Sequence, residues 1–487
     1  MKLHVFQSSS CVLLRHTRYC RIVSPTKELK KPIHPRWAEH DVPSRRRVGH
    51  APIPWVADTL ALLAGVGLGI VIALALSSES RTLLASPGGW FDAVGRLAGL
   101  TGTYLMLVMI VLIARLPWLE RTVGQDRLVK WHRKIGGWPI ALIDLHVVTI
   151  TIGYAQMTKT GPLHQLAVFL RNYPDELAAM VAFALLIFAG VTSAKIARRK
   201  MKYETWWVVH LYMYLAMALA FAHQIVTGVM FLGHPLARAF WIAIWTLSVG
   251  VVVVSRIILP MIRNLRLRLR VSEVKEEAPG IFSLTLSGKH VSELAVSGGQ
   301  FFQWRFLAKE LWLHSHPYSL SALPRAPHLR LTVKASGDQS RAVQHLKIGT
   351  RVIVEGPYGT FTKHARTSDH VTLIGAGVGI TPLRALLEDL PRGVDVSVVI
   401  RASSAEDIVH RDEVEALVRS RGGVFHELVG SRHEVNVDAR LLNRLVPTLK
   451  QGDLYICGPD GFTERVISSA KRLGVKKQQI HHEAFSF

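Results

Sequence analysis

The chain has 487 residues, 49% of them hydrophobic, and carries 59 Lys and Arg against 35 Asp and Glu, a formal charge of +24. That is more than one ordinary domain, and so apolar yet so basic a chain must keep its charge and its hydrophobicity in separate stretches. The basic excess sits in the N-terminal tail and in short loops beside apolar runs, which argues against a nucleic-acid partner, and three cysteines (Cys11, Cys20, Cys457) exclude a disulfide framework.

Residues 1–53 hold Pro25, Pro32, Pro35 and Pro43 without hydrophobic periodicity and read as a basic, mobile cytoplasmic segment. Six transmembrane spans are predicted next, at 54–78, 96–115, 132–157, 177–195, 204–230 and 238–261. Thr59–Ser78, Leu97–Ala114 and Thr205–Ala237 contain no Asp, Glu, Lys or Arg. Each is long enough for a hydrocarbon core of about 30 Å, which about 20 helical residues cross. A helix satisfies its own backbone where lipid offers no partner. Residues 1–50 carry eleven Lys and Arg against three acids, and the loops at 115–134 and 195–204 are basic. The loops at 78–95, 155–176 and 227–237 carry one, two and no basic residues. Basic loops stay inside, so both termini are expected in the cytoplasm and the spans in the plasma membrane.

Two spans carry histidine pairs: His132 and His146 in the third, His210 and His223 in the fifth. Fourteen helical residues rise about 21 Å and return to within about 40° of the starting face. The thirteen-residue spacing in the fifth span puts its pair about 140° apart on an ideal helix, so a π-bulge or kink is expected there. The third and fifth spans run in the same direction, which levels His132 with His210 on the cytoplasmic side and His146 with His223 on the outer side. Taken singly, a histidine at a span end is more often an interfacial residue. Matched spacing on two co-directional spans points instead to two iron centres, each gripped from both sides. Asp144, two residues before His146, reads as a buried hydrogen-bonding group or part of a proton path.

This histidine pattern resembles the ferric reductase and NADPH oxidase family, and the resemblance implies that the four histidines ligate two b-type haems. From Leu265 short alternating strands punctuated by Gly and Pro predict a small antiparallel β-barrel. Within it His316-Pro317-Tyr318-Ser319-Leu-Ser321 resembles the flavin motif of the ferredoxin-reductase superfamily, implying FAD with Tyr318 against the ring and Ser319 hydrogen-bonded to it. By the same resemblance Val333, Lys334, Gly337, Ser340 and Gly356 help to hold the FAD. Strands and helices then alternate. Gly375-Ala-Gly377-Val-Gly379-Ile380-Thr381-Pro382 follows a strand and opens a helix, where bare glycine backbone and free N–H groups suit a pyrophosphate. The loop resembles the NAD(P) loop of that superfamily. Arg401, at the end of the next strand, reads as a partner for a ribose 2′-phosphate, favouring NADPH over NADH. The resemblance further implies that Cys457, in Cys457-Gly458-Pro459, lies beside the nicotinamide and that Phe485 covers the flavin.

The expected architecture is therefore a membrane α-helical bundle of six transmembrane helices (54–262), a β-barrel FAD domain (263–365) and an α/β Rossmann-like nucleotide domain (366–487). The implied function passes electrons from cytoplasmic NAD(P)H through FAD and two b-type haems to an acceptor across the membrane. Molecular oxygen, giving superoxide, is the acceptor favoured, and a ferric chelate is the alternative. A membrane-anchored flavin dehydrogenase without haem and a haem-responsive sensor are the competing classes. The expected partners are membrane lipid and the small-molecule acceptor.

Overall fold

A computed structural model describes residues 20–22, 54–201, 203–309, 311–431 and 435–484. They fall into two compact units, Ile53–Leu259 and a second that contains Pro260–Phe487.

In the first unit six helices are long and apolar enough to cross a membrane. The spans are Pro54–Ser77, Gly89–Leu112, Gly137–Thr158, Pro174–Ser193, Tyr203–Thr227 and Pro235–Val253. Leu62, Leu63, Val191 and Leu247 are each more than 60% exposed, the reverse of a water-soluble bundle and the arrangement lipid requires. The second and third spans approach closely because glycines face the contact. A Cβ on Gly95 would sit 2.7 Å from Ile150, and one on Gly102 would sit 3.1 Å from Leu142. Counted together with the helix before Gly136, the third span covers Arg127–Thr158 and starts earlier than expected. Helix Gln125–Ile135 leads into it through Gly136, which keeps helical angles (φ −55°, ψ −25°) and donates its N–H to the His132 carbonyl at 2.9 Å.

The π-bulge expected in the fifth span is not there: that helix is α throughout Tyr203–Thr227. The π-helical turn lies instead at Val254–Ile258, after the sixth span, where Ser255 Oγ donates to the Ala114 carbonyl at 2.6 Å.

The second unit carries the strands. They are β1 (Cys20–Ile22), β2 (Arg270–Ala278), β3 (Ile281–Ser287), β4 (Phe301–Phe306), β5 (His316–Ser319), β6 (His328–Lys334) and β7 (Val352–Tyr358), then β8 (His370–Ala376), β9 (Asp395–Ala402), β10 (Val424–Val429), β11 (Asp453–Gly458) and β12 (Ile480–Ala484). Two antiparallel three-stranded sheets, β2-β3-β6 and β5-β4-β7, are linked by the bridges Arg270–Arg351 and Leu320–Leu331. Alternating burial along β4 sends Phe302, Trp304 and Phe306 into one core with Leu284, Leu286, Leu329 and Leu331. This is the expected barrel. The remaining strands form one sheet in the order β1-β10-β9-β8-β11-β12, parallel from β10 to β12, with apolar clusters on both faces. In such sheets ligands bind outside the carboxyl ends of the strands. The strands expected from Leu265 begin later, at Arg270, because helix Leu259–Leu267 precedes them.

Candidate functional site

Within the membrane unit the four histidines meet in two pairs. The ring centroids of His132 and His210 are 6.2 Å apart, and those of His146 and His223 are 6.4 Å apart. A metal–imidazole bond is about 2.0–2.1 Å, and a further 1.1 Å or so to each ring centre puts two imidazoles trans across one metal roughly 6.3 Å apart. Edge-to-face ring packing covers the same range, so the weight rests on the separation recurring in two couples on the same two spans. The fifth helix, α throughout Tyr203–Thr227, presents His210 to His132 and His223 to His146, and His132 itself sits on the helical segment before Gly136.

The far nitrogen of three rings is engaged. His146 Nδ1 lies 2.8 Å from the Gly95 carbonyl, His210 Nδ1 lies 3.1 Å from Ser193 Oγ, and His223 Nδ1 lies 3.0 Å from Thr227 Oγ1. A ring tied at Nδ1 keeps Nε2 for a metal, and such outer contacts fix the orientation of metal-bound imidazoles. Trp206 stacks on His210 at 5.2 Å and donates its indole N–H to Ser193 Oγ at 3.2 Å. A cavity of about 1450 Å³, partly open to the surroundings, adjoins His146 and His223, with Gly99, Ala182, Met217 and Ala220 among its walls. A Cβ on Gly99 would stand 2.7 Å from His146 Nδ1, so the missing side chain makes room for the ring. The donor set, its spacing and the apolar cavity fit a haem. Asp144 makes no side-chain hydrogen bond among the described contacts, whereas Asp175 and Glu176, which sequence reasoning passed over, lie against His223 at 3.5 and 3.2 Å. Their position at the start of the fourth span, level with the end of the fifth, was the available signal.

In the barrel, β5 pairs with β4 so that Tyr318 faces Phe302 and His316 faces Trp304 across the ladder. Trp304 Nε1 donates to the Tyr318 carbonyl at 2.9 Å, and the rings of His316 and Tyr318 stack at 5.8 Å, 9° from parallel. Burial pulls the His316 imidazole down to about 4, helped by the charges of His314 and Arg305, and pushes the Tyr318 phenol up to about 12. Ser319 Oγ and His316 Nε2 are buried without a hydrogen-bond partner. Two such atoms in one short strand cost free energy unless a ligand completes them, which is the fit expected of a flavin-binding strand. Pro317 is exposed, Val333 belongs to the barrel core, and Ser321 Oγ is taken by Arg330 Nε at 3.1 Å. Ser340 Oγ closes a tight turn, accepting from Gly337 N–H at 2.8 Å. Gly356 has φ +131°, and a Cβ there would meet Phe302 at 2.7 Å.

The parallel sheet brings the remaining residues to one edge. Register sets Cys457 opposite Gly375 and Arg401 opposite Ala376, so the glycine loop, Arg401 and Cys457-Gly458-Pro459 share the carboxyl ends of three adjacent strands. A Cβ on Gly379 would stand 2.3 Å from the Cys457 carbonyl oxygen, which explains the bare backbone there. Ile380, Thr381 and Pro382 are buried at the start of helix Ile380–Asp389, and Thr381 Oγ1 donates to the Val378 carbonyl at 2.9 Å. The cleft at this edge is lined by Lys334, Gly377, Arg401, Gly458, Pro459 and Arg465. Arg401 also donates to the Gly430 carbonyl at 3.1 Å. Sequence reasoning missed Arg465, one turn into the helix after Pro459. Cys457 is fully buried, and burial first, Glu483 second, push its thiol up. Phe485 lies outside the described residues.

Residues 98–221 match the family described as ferric reductase like transmembrane component, a stretch that includes His132, His146 and His210 and ends two residues before His223. Residues 373–467 match the oxidoreductase NAD-binding domain. Similar curated proteins include a flavohemoprotein of Vibrio cholerae, 32% identical over 182 residues (34% of this chain, 45% of the relative). Another is the glycine betaine monooxygenase reductase subunit of Pseudomonas aeruginosa, 26% identical over 201 residues (37% of this chain, 55% of the relative). The chain thus spans about half the length of the curated relatives it matches. A solved ferredoxin NADP+ reductase from Neisseria gonorrhoeae with bound FAD and NADP aligns at 18% identity with a TM-score of 0.39, covering 45% of this chain and 97% of that one.

Proposed function

We propose that this chain, which joins a ferric reductase-like transmembrane component to an oxidoreductase NAD-binding domain, is an oxidoreductase that moves electrons from a nicotinamide nucleotide across a membrane. The observation that carries the proposal is the pair of imidazole couples at 6.2 and 6.4 Å on two membrane helices that run the same way. When bound, FAD converts a two-electron donor into single electrons and two b-type haems carry them one at a time. The chain supplies position. His132 with His210, and His146 with His223, would hold the irons. Tyr318 and Ser319 would hold the flavin ring, and Lys334, Gly337, Ser340 and Gly356 its remaining groups. The Gly375–Pro382 loop would receive the nucleotide pyrophosphate on bare N–H groups. Arg401 offers charge to a 2′-phosphate, and for that reason we favour NADPH. Cys457 and Phe485 are assigned to the nicotinamide and flavin faces.

The loop charges favour cytoplasmic termini in the plasma membrane, with the His146/His223 pair outermost. Molecular oxygen, yielding superoxide, is the acceptor we propose, and a ferric chelate is the alternative. The test is His132→Ala in the full chain. The expected result is loss of one haem and of reduction of an outside acceptor, with NADPH-driven reduction of a soluble dye retained. Retention of both haems in that variant would remove the pairing. Superoxide-specific and Fe(II)-specific detection on intact cells separates the two acceptors.

A further inference from the structure

The two histidine couples are not held alike. His210 is tied to a serine hydroxyl and His146 to a backbone carbonyl, both neutral. His223 alone among the four has carboxylates at its far nitrogen: Glu176 Oε1 at 3.2 Å and Asp175 Oδ2 at 3.5 Å from Nδ1. Thr227 Oγ1 takes up the Nδ1 hydrogen bond at 3.0 Å while itself donating to the His223 carbonyl at 2.6 Å. Acids in the first turn of a helix ordinarily serve its dipole, and Asp175 and Glu176 occupy that turn of the fourth span. Here both also face the imidazole, with side chains only 15% and 19% exposed, so solvent screens them little.

We propose that Asp175 and Glu176 are positioning residues that lower the reduction potential of the iron held by His223, making it the stronger reductant of the two. The inference rests on the assignment of the four histidines to haem. Negative charge beside a ligand favours the oxidised, more positive iron over the reduced one, and contacts behind a metal-bound histidine are an established lever on potential. Among the described contacts the His132/His210 couple carries no such bias. The consequence concerns specificity: the terminal donor is tuned to one-electron acceptors that are themselves hard to reduce. The carboxylates act through their charge alone, and no bond is made or broken at them.

The test is a potentiometric titration of the full chain in detergent, following the reduced α-band, for wild type, Glu176→Gln, Asp175→Asn, the double variant and Glu176→Asp. Expected in the double variant is an upward move of one of the two components by at least tenfold in its reduced-to-oxidised ratio at fixed poise, 59 mV for a one-electron couple. The other component stays in place, each single variant moves part of the way, and Glu176→Asp lies near wild type. Should the double variant lose haem, Asp175→Asn alone carries the test, with a smaller shift of the same sign. Two components unmoved, with both haems retained, overturn this inference and leave the haem assignment standing. Wild-type protein that binds no haem overturns both.

Discussion

Gly99→Ala is a one-methyl test of the His146 site. The new Cβ would lie 2.7 Å from His146 Nδ1, 3.0 Å from Cγ and 3.1 Å from Cε1. Something must move, and the ring is the movable part. It is held by the Gly95 carbonyl at 2.8 Å, so swinging away breaks that hydrogen bond. The loss is about 1 kcal/mol for a typical bond. Leaving the rotamer well by some 30° adds about 0.5–1.5 kcal/mol. A total of roughly 1.5–2.5 kcal/mol weakens haem affinity at this couple by roughly 10- to 70-fold, at 1.4 kcal/mol per decade. The assay is haem per chain by pyridine haemochrome at limiting haem supply. The expected value falls from two toward one, while Gly65→Ala, whose Cβ would meet nothing within 4 Å, stays at two. A Gly99→Ala protein with two haems and an unchanged spectrum refutes the reasoning.

Ser319→Ala removes a buried hydroxyl with no hydrogen-bond partner, so stability without flavin should hold or rise while FAD affinity falls about fivefold, the worth of one hydrogen bond. Thermal melting with and without added FAD reads both, and equal FAD affinity would contradict the assignment. Gly379→Ala drives a methyl to within 2.3 Å of a backbone oxygen, and its KM for NADPH should rise at least tenfold by stopped flow while the haem spectrum is unaltered. Glu413→Ala removes the carboxylate that binds the buried Arg330 and Arg384 at 2.7 and 2.8 Å, leaving Arg384 to Glu388 and Arg330 to Ser321, and should cost about 3 kcal/mol, lowering the Tm of the full chain. Acid should also weaken the second unit. His316 falls from 6.5 unfolded to about 4 folded; for Glu413, burial opposes the drop, yet the Arg330 hydrogen bonds and the Arg384 charge take it from 4.5 to about 2. Both pKa values are depressed, so their stability is complete above pH 6.5. It is lost through pH 4 for the histidine, and between 4.5 and about 2 for the glutamate. A Tm that stays flat from pH 7 to pH 4 contradicts this.

The spans were legible because charge-free runs of twenty residues admit few other structures, and the first ends within one residue of its expected limit at Ser77. Ile281–Ser287 and Phe301–Phe306 were legible as strands because apolar residues alternate between turn signals. The missing π-bulge was not. An argument from ideal Cβ directions leaves out the reach of an imidazole on two rotatable bonds, which is long enough to offset such a mismatch. The Glu176 contact was also hidden, since it depends on where the fourth and fifth helices come together. Arg330 and Glu413, 83 residues apart, have no local signature at all. The hydrogen bond from Arg330 Nε to Ser321 Oγ at 3.1 Å was equally hidden, since it joins β6 to the chain just past β5.

The most direct measurement is anaerobic addition of NADPH to membranes containing the full chain, with the visible spectrum followed to completion. The account predicts two low-spin b-type haems per chain, both reduced by NADPH and reoxidised when oxygen or a ferric chelate is admitted. Flavin bleaching with no haem absorbance to reduce would contradict it and leave a membrane-anchored flavin dehydrogenase.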